Sequence, residues 1–369
     1  MVRALLLTAA GQLFVMFELD VNSSNRTYKV RVTESPLNFA GEGAFYLVDS
    51  SVGSIVELSG VDSSKVMWVE GSEKTKTIEF CSEILQRLAV SGANKKTTLV
   101  AIGGGSIQDA ATLTASLYMR GIVWTFIPTT FMAMTDSCIG GKSAINVGGF
   151  KNLAGNFYPP NEIVIMEEFL HSLSRQAIAA GLLEAVKIQI ARGKSEFVKF
   201  SELYIQYKKH KDAEILIEIA KLTLESKKWF VEIDEFDQKE RKLLNYGHTF
   251  GHALESASGM KVPHGIAIGI GMLVANGISE PFPYSEEINR VVRDILQNSQ
   301  INFSELSLDK NQFFDALKLD KKNTPGNQVL IILETTGDLQ VQTRGLAQDD
   351  LESQWAGLQG IIKKLGDLN

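Results

Sequence analysis

Two cysteines in 369 residues, Cys81 and Cys138, cannot build a disulfide framework, and a reducing compartment suits them. No apolar run is long enough to span a bilayer. Basic residues are not in excess: 37 Lys and Arg stand against 43 Asp and Glu, a formal net charge of -6 that leaves no footprint for nucleic acid. There is no internal repeat and no low-complexity segment. Histidine is scarce too, five in all, yet His248, His252 and His264 fall within one short segment.

What remains is an ordinary globular composition, 44% apolar and 22% charged. The length exceeds the size at which one core usually stops growing, so two domains are expected. The chain reads as a soluble, cytoplasmic protein with no membrane and no nucleic-acid partner. Its first stretch, MVRALLLTAAGQLFVMFELDV, imitates a short signal peptide, with one Arg before an apolar run. The favoured reading is a β-strand paired with the alternating RTYKVRV of residues 26–32, which leaves the sequons at Asn22 and Asn25 without meaning.

Short β-branched or aromatic runs at 44–51, 65–71, 97–105, 122–130 and 162–168 alternate with segments of helical periodicity such as EFCSEILQRLAVSG and DAATLTASLYMRG. That rhythm predicts a mostly parallel sheet wrapped by helices. Beyond residue 169 the pattern turns to long helices, with strand candidates returning only at VLIILETTGDLQVQ, so the domain boundary is placed near 168.

Four stretches carry chemistry. AIGGGSIQDAA sets three glycines between a strand and a helix, where a ligand can approach the backbone and an anion can face the helix N-terminus. It departs from the G-x-G-x-x-G fingerprint, whose third glycine would fall on Gln108. Residues 128–160 form a long loop-like stretch with five glycines, Asp136, Lys142, Lys151 and Asn152, suited to a phosphate. In GLLEAVKIQ, Glu184 and Lys187 share a helix face; in isolation they read as a surface ion pair. In NYGHTFGHALESASGMKVPHG, His248 and His252 project from one helix face and His264 follows a turn. Gly247 and Gly251 weaken that helix by about 1 kcal/mol each, which points to a site. Thr249 stands where the H-E-x-x-H motif needs its glutamate, which removes that metalloprotease reading. Two histidines and a carboxylate with an open fourth position would make a catalytic zinc site.

In order along the chain, GGGSIQD, LYMRG, PTT, DSCIGGK, KNLAGNFYPP, GLLEAVK, RKLLNYGHTFGHALE and VPHGIAIGIGM resemble the 3-dehydroquinate synthases, of the sugar phosphate cyclase family. The resemblance implies a Rossmann-like NAD-binding α/β domain over 1–168 and a mainly helical metal- and substrate-binding domain over 169–369. It further implies a homodimer using NAD and Zn2+, or Co2+ in its place. The implied reaction converts 3-deoxy-D-arabino-heptulosonate 7-phosphate to 3-dehydroquinate and phosphate, in the shikimate pathway to the aromatic amino acids.

By the same resemblance, Glu184, His248 and His264 are the metal ligands, and His252 contacts substrate or transfers a proton. Lys142, Lys187, Asn152 and Asp136 are the other catalytic candidates. Lys227, Arg241, Asn245 and one of Lys321 or Lys322 would bind substrate, with Arg120 reaching a phosphate across a dimer interface. Glu73, Lys76, Gly104, Gly105, Asp109, Thr129, Thr130 and Lys151 would bind NAD. The family pattern DEREGGLRxLLNxGH appears here as DEFDQKERKLLNYGH, so Phe236 replaces an arginine and Asp237 a glutamate. Two prolines usual in the family are also missing, one from SAINVGGF and one from HSLSRQ. Relatives acting on sedoheptulose 7-phosphate or glucose 6-phosphate share the metal site, and a polyol dehydrogenase of the glycerol dehydrogenase type shares the glycine loop. Arg241 and Asn245 favour the quinate-type substrate, because a guanidinium suits its carboxylate.

Overall fold

A computed structural model describes residues 15–33, 43–56, 58, 61–148, 150–320, 322–324 and 326–367. The chain divides into two compact units: the described residues of Met1–Leu173 together with Lys227–Glu235, and Ser174–Ser226 together with Phe236–Asn369.

The first unit holds strands β1 (Val15–Asn22), β2 (Thr27–Thr33), β3 (Ala44–Asp49), β4 (Val66–Val69), β5 (Thr98–Gly103), β6 (Val123–Pro128), β7 (Ile145–Val147), β8 (Phe150–Ala154) and β9 (Glu162–Met166). Helices α1 (Ile78–Val90) and α2 (Gly105–Leu117) follow β4 and β5. One seven-stranded sheet has the order β1-β2-β9-β6-β5-β3-β4, parallel except for the β1–β2 hairpin. The expected pairing of the N-terminal strand with 26–32 is present from Val15 onward; residues 1–14 lie outside the described residues. Every residue of β3 and β5 is buried, which is why those runs are continuously apolar rather than alternating.

Strand order fixes where a ligand can sit. From β3 the chain moves outward to β4, whereas from β5 it moves the other way to β6, so the winding reverses between β3 and β5. In such sheets the crevice lies outside the carboxyl ends of the two strands at the reversal. Asp49 ends β3 and Gly103 ends β5, neighbours through the pairing of Val48 with Ile102.

The stretch 128–160 is more ordered than its loop-like sequence suggests. Ala133–Ser137 form a π-helical turn, and β7 pairs with β8 as a hairpin. Every residue of β8 is exposed, so no alternation of burial marks it in the sequence.

The second unit is mainly helical: α3 (Arg175–Arg192), α4 (Lys194–His210), α6 (His248–Ala257), α7 (His264–Asn276), α8 (Pro283–Gln297), α9 (Lys310–Lys318), α10 (Gln348–Gly366) and the hairpin β10 (Asn327–Leu333) with β11 (Leu339–Gly345). Helix α5 (Ala213–Ile233) begins in this unit and ends in the first. Helix α7 is buried almost along its whole length and packs on both α3 and α6. Its glycines permit this. A Cβ on Gly265 would stand 2.2 Å from the Ala180 carbonyl oxygen, one on Gly269 2.7 Å from Leu183, and one on Gly271 2.1 Å from the Gly247 carbonyl oxygen. Gly247 and Gly251 are equally tight from the other side, at 2.7 and 2.6 Å from Ile268. The glycines that seem only to weaken α6 are therefore the surface on which α7 rests. A buried chain fastens the same place: the Tyr246 hydroxyl donates to Asn276 Oδ1, and Asn276 Nδ2 donates to Asn289 Oδ1 at 2.8 Å.

Both cysteines are buried free thiols, and burial raises Cys81 to about 11 and Cys138 to about 12, so neither is a nucleophile at neutral pH. No described helix is long and apolar enough to cross a membrane.

Propensity alone favours Ala over Gly inside a helix by about 1 kcal/mol. Gly271→Ala is expected to go the other way, losing about 1–3 kcal/mol by overpacking against Gly247. Urea unfolding measures it; a midpoint equal to or above wild type would refute the contact.

Candidate active site

In the first unit, the glycine loop divides into packing and space. A Cβ on Gly103 would meet Ile107 at 2.6 Å and one on Gly104 would meet Thr130 at 3.0 Å, whereas the nearest atom to a Cβ on Gly105 is 3.9 Å away. Two of the three glycines thus answer to the protein itself, and Gly105 alone leaves open room. Gly104 is the N-cap of α2 and no side chain caps it, so the first turn of α2 starts at the carboxyl end of β5 without a side-chain cap. Gln108, in place of a fingerprint glycine, clamps the neighbouring turn: its Nε2 donates to the Ser137 carbonyl at 2.6 Å and its Oε1 accepts from the Ser137 hydroxyl at 2.6 Å. Thr129 is buried and donates its N–H to the Gly103 carbonyl at 3.0 Å, while Thr130 Oγ1 accepts from Ala133 N at 3.2 Å.

A polar cluster gathers the other predicted cofactor residues. Lys76 Nζ lies 2.9 Å from Asp109 Oδ2 and 3.6 Å from Glu73 Oε1, and donates to Asn152 Oδ1 at 3.1 Å. Asp109 also accepts from Ala144 N at 3.0 Å, and Asn146 joins Glu73 to the backbone of Asn152. Burial alone would lower Lys76, but Asp109 and Glu73 outweigh it and raise its pKa, so the ammonium stays charged. Lys151 is exposed on β8 beside Asn152, whose backbone is in the left-handed region at φ 50. Lys142 is exposed, at an isolated bridge to Phe157. Arg120 is exposed, also with positive φ at 64. Asp136, on the π-helical turn, forms an ion pair with the buried Lys227, which donates to the Asp136 carbonyl as well.

In the second unit α3, α6 and α7 bring the other set together. Glu184 and Lys187 are 1% and 2% exposed and paired with each other, which corrects the surface-pair reading. His248 opens α6, His252 lies one turn on, and His264 opens α7; one nitrogen from each falls within 4.8 Å of the others. Glu184 Oε1 is 3.4 Å from His264 Nε2. That separation matches the edge of a tetrahedron, about 3.4 Å, for metal bonds of about 2.1 Å. The donor set fits a divalent metal.

Ring environments separate the three histidines. His248 Nδ1 faces the Tyr246 carbonyl at 3.3 Å and His264 Nδ1 faces Glu255 Oε2 at 3.3 Å, which directs both Nε2 atoms elsewhere. His252 meets the other two rings at centroid distances of 5.2 and 5.6 Å. Desolvation, then the charge of Lys187, lowers His248 well below its usual value, so it is a neutral donor. His252 is solvent-exposed on its open side yet crowded by protein elsewhere; desolvation, then His264, lowers it to about 4. Burial would lower His264 as well, but the Glu255 hydrogen bond and the charge of Glu184 prevail and raise it.

Both halves of this arrangement have known counterparts. A family model for the 3-dehydroquinate synthase N-terminal part matches residues 66–180, and one for its C-terminal part matches 181–323. The chain is 36% identical over 286 residues to a 3-dehydroquinate synthase of Methylacidiphilum infernorum, covering 77% of this chain and 76% of that one. The chain belongs to the 3-dehydroquinate synthase family. A second synthase, of Sulfolobus acidocaldarius, is 36% identical over 278 residues, covering 73% and 78%. Among solved structures, a 2-deoxy-scyllo-inosose synthase complexed with carbaglucose-6-phosphate, NAD+ and Co2+ shares the fold, with a TM-score of 0.75 at 22% identity over 93% of this chain and 100% of that one.

As an enzyme of the 3-dehydroquinate synthase family, the chain holds Arg241, 3% exposed, and Asn245 on the turn just before His248. Lys322 Nζ lies 2.9 Å from Asp320, and its charge helps lower His248 and His252. Lys321 lies outside the described residues. Asp237 carries a positive φ of 60, a conformation Asp adopts more readily than most side chains, and Phe236 is half exposed. Two residues escaped the sequence reading. Asp49, 8% exposed at the β3 end, accepts from Ser51 N at 3.0 Å, and Glu255 stands on His264. The spacing of Glu255 three after His252 was the only sequence sign of the latter.

Gly103→Ala should lower stability by about 1–3 kcal/mol because Ile107 cannot yield. Gly105→Ala, with open space around it, should stay within about 0.5 kcal/mol of wild type. Chemical denaturation of the two variants side by side would decide; equal losses would remove the distinction.

Proposed function

We propose that this protein is a metal- and NAD-dependent lyase that eliminates phosphate from 3-deoxy-D-arabino-heptulosonate 7-phosphate and closes the ring to 3-dehydroquinate. The observation that carries the reading is the Glu184, His248 and His264 donor set with Lys187 against the carboxylate and His252 beside it. The inosose synthase structure contains NAD+ and Co2+, and that of a 2-epi-5-epi-valiolone synthase from Streptomyces hygroscopicus contains NAD+ and Zn2+.

Glu184, His248 and His264 would hold the metal, and Gly104, Gly105 and the α2 N-terminus would hold the cofactor's pyrophosphate, with Asp49, Glu73 and Lys76 as candidates for its other polar groups. When bound, these groups supply a reversible hydride acceptor and a Lewis acid that makes a substrate hydroxyl more acidic. The protein's residues do the rest. Neutral His252, with its low pKa, takes a proton and passes it on. Lys187 holds Glu184 ionised, and the Lys227–Asp136 pair and Lys142 offer charge to a leaving phosphate. Arg241 presents a planar fork to the substrate carboxylate, a need that sedoheptulose 7-phosphate and glucose 6-phosphate do not have.

Phosphate release from these three sugar phosphates, with absorbance at the NADH band followed in parallel, tests the reading. The heptulosonate is expected to be preferred, with product far exceeding the NAD supplied and no lasting NADH. Arg241→Ala should lose about 3–5 kcal/mol, two to three or more powers of ten in kcat/KM, with normal metal content. Preference for sedoheptulose 7-phosphate would overturn the substrate, and stoichiometric NADH would favour a polyol dehydrogenase.

A further inference from the structure

Glu255 sits on α6 three residues beyond His252, and its carboxylate is turned toward the start of α7, where Oε2 lies 3.3 Å from His264 Nδ1. His264 Nε2, on the far side of the ring, lies 3.4 Å from Glu184 Oε1. The ring is therefore held between two carboxylates on two different helices. Only Nε2 points toward the other proposed metal donors. Once Nε2 is given to a metal, the ring's remaining proton belongs on Nδ1, where the Glu255 carboxylate accepts it.

His248 is set by a different means, since its Nδ1 faces the backbone carbonyl of Tyr246 at 3.3 Å, and no side-chain change can remove that partner. The two histidines thus differ in how their orientation can be lost. Glu255 is mostly buried, with a side chain 14% exposed, so a glutamine, which keeps its volume, separates charge from packing.

We propose that Glu255 is a positioning residue that fixes His264 as an Nε2 ligand of the metal. This rests on the metal reading of Glu184, His248 and His264 given above. Metal-binding histidines commonly donate their second N–H to a carboxylate, and losing such a partner weakens metal affinity about 10–100-fold. A carboxylate that served only helix packing would not alter the ring's tautomer.

The test uses the full-length protein stripped of metal. Co2+ is titrated in competition with a chelator of known affinity, following the visible bands of the bound ion, for wild type, Glu255→Ala and Glu255→Gln. Long-range proton–nitrogen spectra of the 15N-histidine-labelled protein loaded with Zn2+ read which nitrogen of His264 binds the metal, and thermal unfolding of the apo forms gives the structural control. Glu255→Ala is expected to bind Co2+ about 10–100-fold more weakly, with the Nδ1–H signature of metal-bound His264 weakened and apo unfolding little changed. Glu255→Gln keeps an accepting oxygen without the charge, so its loss should be smaller but measurable; it decides the matter if the alanine variant does not fold. Wild-type affinity in both variants would overturn the inference alone. A wild type that binds no divalent ion would overturn the metal reading and the inference with it.

Discussion

The absence of a side chain at Gly265, Gly269 and Gly271 of α7 sets the geometry on which the second unit depends. Carbonyl oxygens of Ala180 and Gly247 lie where methyl groups at Gly265 and Gly271 would be, so the backbones of α3, α6 and α7 approach more closely than any larger residue allows. Donors from three helices can then converge: Glu184 from α3, His248 and His252 from α6, His264 from α7. The glycines weaken each helix by propensity, and burial of α7 along almost its whole length offsets that loss.

Charge is arranged with similar economy of contacts. Buried ionised groups are expensive unless paired. The chain places Lys187 against Glu184, Lys76 against Asp109 and Lys227 against Asp136, each lysine largely out of water. Replacing such pairs by apolar residues would often leave stability unharmed, so their presence speaks for a role other than holding the fold. In the second unit the pKa values of His248 and His252 are lowered, the state that the proposed metal ligation and proton acceptance call for.

Much of this was legible in the residues. The apolar runs of β3, β5, β6 and β9 stand out because both faces are covered, and α3 and α5 announce themselves by length. Glu184, His248 and His264 came from motif resemblance, since spacing alone paired His248 with His252. Less legible were features created by long-range packing. Asp49 matters only once strand order places its β3 end beside Gly103, and Glu255 only once α6 and α7 lie together. The β7–β8 hairpin, whose second strand is wholly exposed, and the π-helical turn escaped because neither shows a helical or alternating period. The packing of Gly103 against Ile107 and of Gly104 against Thr130 was equally invisible in the glycine-loop sequence.

The first unit is not a contiguous cassette of sequence. Lys227–Glu235 belongs to it although more than fifty residues of the other unit come between, and that segment supplies the partner of Asp136 and carboxylates that bind the β1–β2 turn through Asn22 and Ser24. Recombination at the obvious seam after Leu173 would separate Asp136 from its native counter-ion and leave Lys227 facing a foreign surface. A swap among relatives would keep this ion pair only where the incoming segment brings a lysine at the same place. Phe236 and Asp237, the departures from the family pattern, begin immediately after this interleaved segment, where chain crosses from one unit to the other.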